Sequence, residues 1–240
     1  MELAGVTALV TGGARRVGKA IALGLAESGC NLVIHYNRSA DEAEAVASEA
    51  RAFGVEVRTV GADLGLDAAH AIGGAGDLGP VRVLVNSAAV FTEDTLRDVN
   101  RETLERTLAV NLIAPIMLMS AFAAALPEGI SGVVVNVTDW RTARPYREHF
   151  SYSVSKGAID TCTLAAAESL APSIRVNAVA LGAILPPPGK DSAYLKALAK
   201  QIPVERVGGT DPVVHAVRFL LENDFITGEI VRIDGGAHLR

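Results

Sequence analysis

The stretch "TGGARRVGKAIA", Thr11–Ala22, joins a β-branched run over 6–11 to a segment with helical periodicity over 17–29. Three glycines surround the turn between these segments: Gly12, Gly13 and Gly18. Because glycine has no side chain, such a turn lets the backbone approach a phosphate group at the N-terminus of the following helix. The stretch predicts a strand, a phosphate-binding turn and a helix, in that order.

The alternation of short apolar runs and helical segments continues along all 240 residues. Strand-like runs lie at 6–11, 31–36, 55–60, 81–86, 132–137, 174–179 and 229–234. Helical patterns lie at 17–29, 40–53, 101–125, 152–170 and 211–222. This order predicts an α/β fold, a single Rossmann-type doubly wound parallel sheet of about seven strands with helices on both faces. Since no linker divides the chain, we expect one domain over 1–240.

One connection is longer than this fold requires. The segment 182–209, "GAILPPPGKDSAYLKALAKQIPVERVGG", follows the sixth strand-like run. Ligands of doubly wound sheets bind outside the carboxyl ends of the strands, where this segment begins. We therefore predict a substrate lid at 182–209, with an ordinary surface insertion as the alternative.

Two arginines, Arg15 and Arg16, stand in the glycine turn, and Arg16 takes the place of a middle glycine. A cation in the first turn of a helix opposes the helix dipole, which costs about 0.3–1 kcal/mol when it is exposed. Both arginines therefore indicate an anionic ligand. The alternative is a solvated charged surface, which suits Arg15 better than Arg16.

The second strand-like run leads into "HYNRSADE", His35–Glu42, which has no acidic residue before Asp41. Proteins that bind the non-phosphorylated dinucleotide usually carry Asp or Glu here, to hold the ribose 2′-hydroxyl. Arg38 can instead make a forked contact with a phosphate, and Ser39 offers a neutral donor. This pattern predicts NADPH/NADP as the cofactor. Ser39-x-x-Glu42 also matches a capping box for the next helix.

The segment "SYSVSKGAID", Ser151–Asp160, begins a helical pattern in which Tyr152 and Lys156 share a face. An ammonium beside a phenol favours the phenolate, so we predict that Lys156 lowers the pKa of Tyr152 toward a range useful for proton transfer. The spacing alone is common by chance. Its place after the fifth strand of a dinucleotide fold makes it informative.

The composition argues against nucleic-acid and membrane partners. The net charge is −5, so the chain has no basic excess for a polyanion or an anionic bilayer. The apolar run 109–126 approaches the length of a membrane span, but polar residues interrupt it, and we expect a buried or subunit-interface helix. Cys30 and Cys162 have no clustered histidines, which predicts no metal site. The N-terminus lacks the pattern of a signal peptide, so we expect a cytoplasmic protein.

Across essentially its whole length the chain resembles the short-chain dehydrogenase/reductase family. The matching motifs are Thr-Gly-x3-Arg-x-Gly at Thr11–Gly18, "ADL" at Ala62–Leu64, "NSA" at Asn86–Ala88, Asn111, Tyr152-x3-Lys156, "RVNAV" at Arg175–Val179 and "DGG" at Asp234–Gly236. The resemblance implies that Tyr152 is the proton donor, that Lys156 holds the nicotinamide ribose, and that Asn111 anchors a proton-relay water. It also implies a homodimer or homotetramer built on the helices that begin near 101 and 152.

The resemblance and the patterns above together give a set of residues for the cofactor. These are Gly12, Arg15, Arg16, Val17, Gly18, His35, Asn37, Arg38, Ser39, Asp63, Leu64, Asn86, Ala88, Tyr152, Lys156 and Gly182. By resemblance, Asp63 and Leu64 would flank the adenine, and Asn86 would support the strand beneath the cofactor.

Asp139 departs from the majority pattern of the family. Most members carry a serine at this position, thirteen residues before the tyrosine, and it hydrogen-bonds the substrate carbonyl. A carboxylate would repel an oxyanion that develops on a ketone. It suits a ring C=N bond, because Asp139 can orient or relay the proton that the nitrogen must gain, together with Tyr152.

This departure resembles the pteridine reductases and the related dihydromonapterin/dihydrofolate reductases of the family. Arg16, "HYNRS" and Asp139 match that subgroup, and Phe91 would stack a flat pterin against the nicotinamide. The resemblance implies an NADPH-dependent reductase of a pteridine or dihydropteridine, with Arg16, Phe91, Asp139, Trp140 and Tyr152 at the substrate. Trp140 suits packing equally well, and Phe91 has an alternative role as a core residue.

Two other functions remain open. A general carbonyl or 3-oxoacyl-thioester reductase that tolerates Asp139 would use the same cofactor and tyrosine. A non-enzymatic NADPH sensor would need the fold but not a tuned phenol. The intact Asn111, Tyr152 and Lys156 argue against the sensor.

Overall fold

The computed structural model describes residues 1–186 and 192–240. Its strands are β1 (Thr7–Val10), β2 (Asn31–Tyr36), β3 (Val57–Gly61), β4 (Val81–Asn86), β5 (Gly132–Asp139), β6 (Ile174–Leu181) and β7 (Ile230–Ile233). They form one sheet in the order β3-β2-β1-β4-β5-β6-β7, and every neighbouring pair is parallel. The predicted Rossmann-type doubly wound sheet is therefore confirmed.

Helices cover both faces of the sheet. They are α1 (Arg16–Glu27), α2 (Ala40–Arg51), α3 (His70–Gly73), α4 (Arg101–Leu108), α5 (Ala114–Ala125), α6 (Phe150–Leu170), α7 (Ser192–Ala199) and α8 (Asp211–Glu222). Successive side chains of a strand point to opposite faces. In β1, Ala8 and Val10 pack with α1, α2 and α8, whereas Leu9 packs with α3, α5 and α6. Burial on both faces explains why the strands are almost continuously apolar.

The strand order reverses between β1 and β4. At such a point the loops that leave two neighbouring strands turn to opposite faces of the sheet, and a crevice forms at the carboxyl ends of the strands. The loop after β1 carries the glycine turn, and the loop after β4 carries "NSAAVF", Asn86–Phe91. The topology therefore brings the two motifs to one crevice.

The predicted helix over 101–125 contains an irregularity. A π-helical turn at Ala109–Ile113 separates α4 from α5 and includes Asn111. By length and composition the helical stretch Arg101–Ala125 could cross a membrane. This is weak evidence for a membrane span, because the core helices of other proteins pass the same test. Leu118 and Phe122 of α5 are buried against the sheet, as expected of a core helix. Ile116 and Met117 on the exposed side of α5, and Ile113 directly before it, are large apolar side chains that reach the surface.

The segment predicted as a lid leaves the sheet at Gly182, directly after β6. The Gly182 N–H donates to the carbonyl of Ile233 at 2.9 Å, and a Cβ on Gly182 would lie 2.6 Å from the Cα of Asp234. Only glycine fits this close approach. Residues 187–191 of the predicted lid lie outside the described residues, and the function of the segment as a lid stays a prediction.

Candidate active site

A hydrogen bond between Tyr152, on α6, and Asp139, at the end of β5, forms the centre of the site. Tyr152 Oη donates to Asp139 Oδ2 at 3.1 Å. Asp139 Oδ1 accepts from the backbone N–H of Arg141 at 2.8 Å, because Asp139 is the N-cap of a short 3₁₀ helix, Trp140–Thr142. The carboxylate is thus fixed through both oxygens.

Lys156 is buried one helical turn beyond Tyr152. Its Nζ donates to the carbonyl of Val137 at 2.7 Å and lies 5.8 Å from the centroid of the Tyr152 ring. Burial lowers the pKa of Lys156 from 10.5 to about 8, although the carboxylates of Asp139 and Asp160 oppose the shift. Lys156 therefore loses its positive charge near pH 8, just above neutral pH.

The prediction that the pKa of Tyr152 is lowered is wrong for this structure, because the effects that raise this pKa outweigh the attraction of the Lys156 ammonium for a phenolate. Burial, the charge of Asp139 and the hydrogen bond to it raise the pKa of Tyr152 well above its usual value. Burial also raises the pKa of Asp139, although hydrogen bonds from Arg141 and Tyr152 oppose the shift. Tyr152 is consequently a fully protonated donor at neutral pH.

Asn111 connects the loop after β4 to α6. Its Oδ1 accepts from the Val90 N–H at 2.8 Å, and its Nδ2 donates to the Val90 carbonyl at 2.9 Å and to Ser155 Oγ at 3.1 Å. Ser155 Oγ in turn donates to the carbonyl of Tyr152 at 2.7 Å. Asn111 thus fixes Val90 relative to the catalytic helix, and its contact with a relay water stays a prediction.

An aromatic cluster lies beside Tyr152. The centroids of the Phe91 and Tyr152 rings are 4.7 Å apart, with an interplanar angle of 85°. His149 stacks on Phe91 with a centroid distance of 3.9 Å, and Tyr146 packs edge-on against both rings. Because Phe91 is 45% exposed, the alternative of a core residue is wrong. Its ring offers apolar surface next to Tyr152.

Trp140 lies at the same edge of the site, directly after Asp139. The guanidinium carbon of Arg141 is 4.7 Å from the ring centroid of Trp140 and 4.7 Å from that of Tyr146. These cation–π contacts order the segment that follows β5. Trp140 therefore packs against Arg141, as the alternative role requires, and its contact with a substrate stays a prediction.

Four side chains of the site carry no sequence motif: Arg141, Tyr146, His149 and Ser155. Their only signal is that they lie near Asp139 or Tyr152 along the chain. Nearness in sequence does not show which residues between two motifs turn toward the site.

The glycine turn is built around Thr11. Its Oγ1 accepts from the backbone N–H groups of Ser87 at 2.9 Å and Ala88 at 3.0 Å, which joins the two loops of the crevice. Gly12 has a φ of +63°, and a Cβ there would lie 3.0 Å from the Cα of Ala88. A Cβ on Gly18 would lie 2.3 Å from the carbonyl oxygen of Gly12. These glycines leave the backbone at the start of α1 open to a ligand, beside the half-buried Val17.

Arg16 adopts a φ of 55°, in the left-handed region that favours glycine. A residue with a side chain costs about 1–2 kcal/mol there. Its Nη2 donates to the carbonyl of Pro186 at 2.7 Å, so it joins the turn to the start of the predicted lid. Arg15 forms an exposed ion pair with Glu42 of α2, so its charge has a partner within the chain. Contact between Arg15 and the cofactor stays a prediction.

The end of β2 lies beside the glycine turn. The buried ring of His35 accepts from the Gly12 N–H at Nδ1 (3.2 Å) and donates through Nε2 to the Ala62 carbonyl (3.0 Å). Burial lowers the pKa of His35, although the Ala62 carbonyl opposes the shift, which agrees with this neutral tautomer. Asn37 and Arg38 are exposed, and Arg38 has no hydrogen-bond or ion-pair partner in the described part of the chain. Its guanidinium is free to receive a phosphate.

The predicted capping box at Ser39 and Glu42 is wrong. Ser39 is the N-cap residue of α2, but its side chain makes no capping hydrogen bond. The Glu42 carboxylate pairs with Arg15 instead. The Ser39 hydroxyl therefore remains available to a ligand beside Arg38.

Two polar groups follow β3 and β4 at the same edge of the sheet. Asp63 accepts hydrogen bonds from Arg106 Nη1 at 3.1 Å and from the Gly65 N–H at 2.9 Å. Burial tends to raise the pKa of Asp63, but these hydrogen bonds and the Arg106 charge outweigh it, so the pKa is lowered. The neighbouring Leu64 is buried. Asn86 Nδ2 bonds to Asn136, whereas its buried Oδ1 has no partner among the described residues. A buried acceptor without a partner indicates a donor supplied from outside the chain.

The donors along this crevice fit a phosphorylated dinucleotide. Gly12, Gly18 and Arg16 would hold its diphosphate, Arg38 and Ser39 its 2′-phosphate, and Lys156 its ribose. When bound, NADPH supplies the hydride for a reduction. No group of three or more His, Cys, Asp or Glu side chains that could hold a metal ion occurs in the described ranges.

Comparisons with known proteins give the family. A family model described as enoyl-(acyl carrier protein) reductase matches residues 12–238. L-xylulose reductase of Bos taurus is 35% identical over 246 residues, which cover 98% of each chain. A short-chain type dehydrogenase/reductase of Picea abies is 31% identical over 257 residues, which cover 98% of this chain and 93% of the relative. The structure of FolM alternative dihydrofolate reductase 1 from Brucella canis, complexed with NADP, is 38% identical with a TM-score of 0.94, covering 100% of this chain and 97% of that chain. With its fold, glycine turn and Tyr152–Lys156 pair, the chain belongs to the short-chain dehydrogenase/reductase family and is an NADP-dependent oxidoreductase.

Proposed function

We propose that this protein reduces a pteridine or dihydropteridine at a ring C=N bond, with NADPH as the source of hydride. One observation carries this function: the carboxylate of Asp139 accepts a hydrogen bond from Tyr152. Reduction of a ketone develops an oxyanion, which needs neutral or positive donors around it. A ring nitrogen is more basic than a carbonyl oxygen and can take up its proton before or during hydride transfer, and a carboxylate beside Tyr152 stabilises the positive charge that results.

The residues of the site can supply that proton. Reduction of a C=N bond adds a hydride at carbon and a proton at nitrogen. Because its pKa is raised, Tyr152 holds a proton that it can donate to the nitrogen. The Lys156 ammonium stabilises the phenolate that forms. Asp139, whose pKa is also raised, can then take up a proton from water and pass it to the phenolate, which restores the acid for the next turnover.

The aromatic cluster suits a flat heterocycle. Phe91 is half exposed, and its ring lies nearly perpendicular to that of Tyr152. An aromatic contact with a substrate ring is worth about 0.5–1.5 kcal/mol beyond the burial of its area. This arrangement would hold the C=N bond near the phenol.

The relatives favour two different substrate classes. The name of the Brucella canis protein refers to dihydrofolate, which contains a dihydropteridine ring, and this supports the proposal. The name of the Bos taurus relative refers to L-xylulose, a ketose. A general carbonyl or 3-oxoacyl-thioester reductase is therefore the second candidate function.

A panel of substrates with NADPH consumption as the readout tests the proposal. We expect kcat/KM for dihydrobiopterin or dihydrofolate to exceed that for L-xylulose and acetoacetyl thioesters by about 100-fold or more. The variant Tyr152→Phe, which keeps the aromatic contact with Phe91, measures the background. Turnover of carbonyl substrates alone would overturn the pteridine assignment and favour the second candidate.

We also propose a homodimer or homotetramer. Besides α5, helix α6 also carries exposed apolar residues, Val154 and Leu164, which are about half exposed. Clustered apolar residues of this kind often mark protein interfaces. Light scattering of Met117→Glu beside the parent tests this: a monomeric variant supports the interface, and an unchanged oligomer or a monomeric parent contradicts it.

A further inference from the structure

Asp94, in the loop after β4, caps the helix that carries the proton donor. Asp94 Oδ1 accepts from the Ser151 backbone N–H at 3.0 Å, and Oδ2 accepts a short hydrogen bond from Ser151 Oγ. Ser151 lies in the first turn of α6, immediately before Tyr152. The N-cap residue of α6, His149, makes no side-chain capping bond, so Asp94 supplies this contact from 57 residues away.

The backbone of the same loop is paired with the start of α6. The Asp94 N–H donates to the Glu148 carbonyl at 3.0 Å, and the Phe150 N–H donates to the Asp94 carbonyl at 3.0 Å. His149 Nδ1 donates to the Thr92 carbonyl at 2.7 Å. The loop therefore cannot move without the first turn of α6.

Phe91 lies between two fixed points of this loop. On one side, Asn111 holds both backbone polar groups of Val90. On the other side, Asp94 holds the chain to Ser151. These contacts leave the Phe91 ring little freedom to change its position against Tyr152.

The charge of Asp94 is stabilised by the first turn of α6, through the backbone N–H and the hydroxyl of Ser151. Asp94 is 7% exposed, and no cation forms an ion pair with it among the described residues. A carboxylate is favoured at a helix N-terminus, where backbone N–H groups and the helix dipole stabilise it. A cap from within the helical segment could stabilise α6 equally well, but it would not fix the loop that carries Phe91.

We infer that Asp94 is a positioning residue for the reduction: its carboxylate sets the Phe91 ring relative to the phenol of Tyr152. The part that concerns Phe91 as the substrate-stacking ring rests on the proposed function. The part that concerns the first turn of α6 depends only on the hydrogen bonds of Asp94.

Three variants separate positioning from general stability. Asp94→Ala removes both bonds, and we expect kcat/KM to fall roughly 100-fold, because a misplacement of about 1 Å is enough for such a loss. Asp94→Asn keeps both bonds, since its Oδ1 accepts from the Ser151 N–H and its Nδ2 donates to the rotatable hydroxyl, and it should stay within about threefold of the parent. Asp98→Ala is the matched control, because Asp98 is exposed and bonds only to Thr95 of its own loop.

Three further readouts distinguish this role from loss of structure. Amide hydrogen exchange over 148–153 should accelerate in Asp94→Ala but not in Asp98→Ala, while the Kd for NADPH stays within about twofold of the parent. In a double-mutant cycle, Asp94→Ala should have little added effect on the substrate KM once Phe91→Ala is present. Parental kinetics in Asp94→Ala, a parallel loss of NADPH binding, or an additive cycle would overturn the inference.

The proposed function and the role of Asp94 are contradicted by different results. If the parent reduces carbonyl compounds and not dihydropterins, the proposed function fails, and Asp94 is then tested with the carbonyl substrate and by hydrogen exchange. If Asp94→Ala does not fold, Ser151→Ala, which loses only the hydroxyl donor, should lower kcat/KM about fivefold. Parental kinetics in Ser151→Ala would then contradict the inference.

Discussion

Tyr152 and Asp139 share a hydrogen bond of 3.1 Å, and the pKa of each group is raised above its ordinary value. The phenol therefore keeps its proton until a substrate atom nearby becomes basic enough to take it. Lys156, with a pKa of about 8, supplies the positive charge that this transfer requires. Burial is thus the main cause of the pKa shifts of Tyr152, Asp139 and Lys156, which lie at the start of α6 and the end of β5.

Replacing Asp139 should separate the two candidate substrate classes. Asp139→Asn keeps an acceptor for the Arg141 N–H but cannot relay a proton, so kcat for a dihydropterin should fall about 100-fold with little change in Tm. Asp139→Ser should lose pterin reduction and gain carbonyl reduction, because its hydroxyl can donate to a developing oxyanion. Unchanged pterin turnover in Asp139→Asn, measured by NADPH consumption, contradicts the role of this carboxylate.

The rate of reduction should depend on the charge of Lys156. Because the ammonium form stabilises the phenolate, kcat/KM should be constant below the pKa of Lys156 and fall as pH rises through about 8. Lys156→Arg keeps a cation at all accessible pH values, so the alkaline decrease should disappear even if the rate is lower. A parental pH profile that rises above pH 8 would contradict this assignment.

Arg16 should lower stability while it supports binding. In Arg16→Gly, the free energy of unfolding should rise by about 1 kcal/mol, because glycine adopts the positive φ without strain. The Kd for NADPH should rise about tenfold through the loss of a charge-assisted contact. Arg16→Ala is the matched control, since it loses the same contact but keeps the strain. Equal thermal stability of the two variants would show that the backbone at this position is not strained.

The free guanidinium of Arg38 should determine the choice of cofactor. In Arg38→Asp the KM for NADPH should rise by about 100-fold or more, whereas the KM for NADH should change little or fall, because the added carboxylate can accept from a 2′-hydroxyl. Lys19→Gln, which removes an exposed cation of α1 that pairs with Glu49, serves as a control for general charge. Equal changes in both KM values would refute the assignment.

The fold was predictable because its information is local and repeated. Each strand is an apolar run and most helices have their own periodicity. The helices that differ in the described part of the chain are α4 and α5, which the π-helical turn at Ala109–Ile113 separates, and the short α3 and α7, which no predicted helical pattern covers. Tyr152, Lys156 and Asp139 were predictable because their spacing places them at the carboxyl ends of strands or on one helix face. The direction of the Tyr152 pKa was not, since it depends on burial and on the three-dimensional distance to Asp139.

Contacts between distant segments were also beyond prediction. The ion pair of Arg15 with Glu42 replaces the expected capping box, and the cap on Ser151 comes from Asp94. Neither contact has a characteristic spacing, because each joins loops whose relative position follows from the assembled sheet.

The π-helical turn makes the site sensitive to chain length. A π-helical turn holds one residue more than an α-helical turn, and each residue of an α-helix rotates the following side chains by about 100°. Deletion of one residue within Ala109–Ile113 would give a regular helix, but then either Asn111 would turn away from Val90, or Leu118 and Phe122 would turn away from the sheet. At this point of the chain, substitutions are therefore better tolerated than a change in the number of residues.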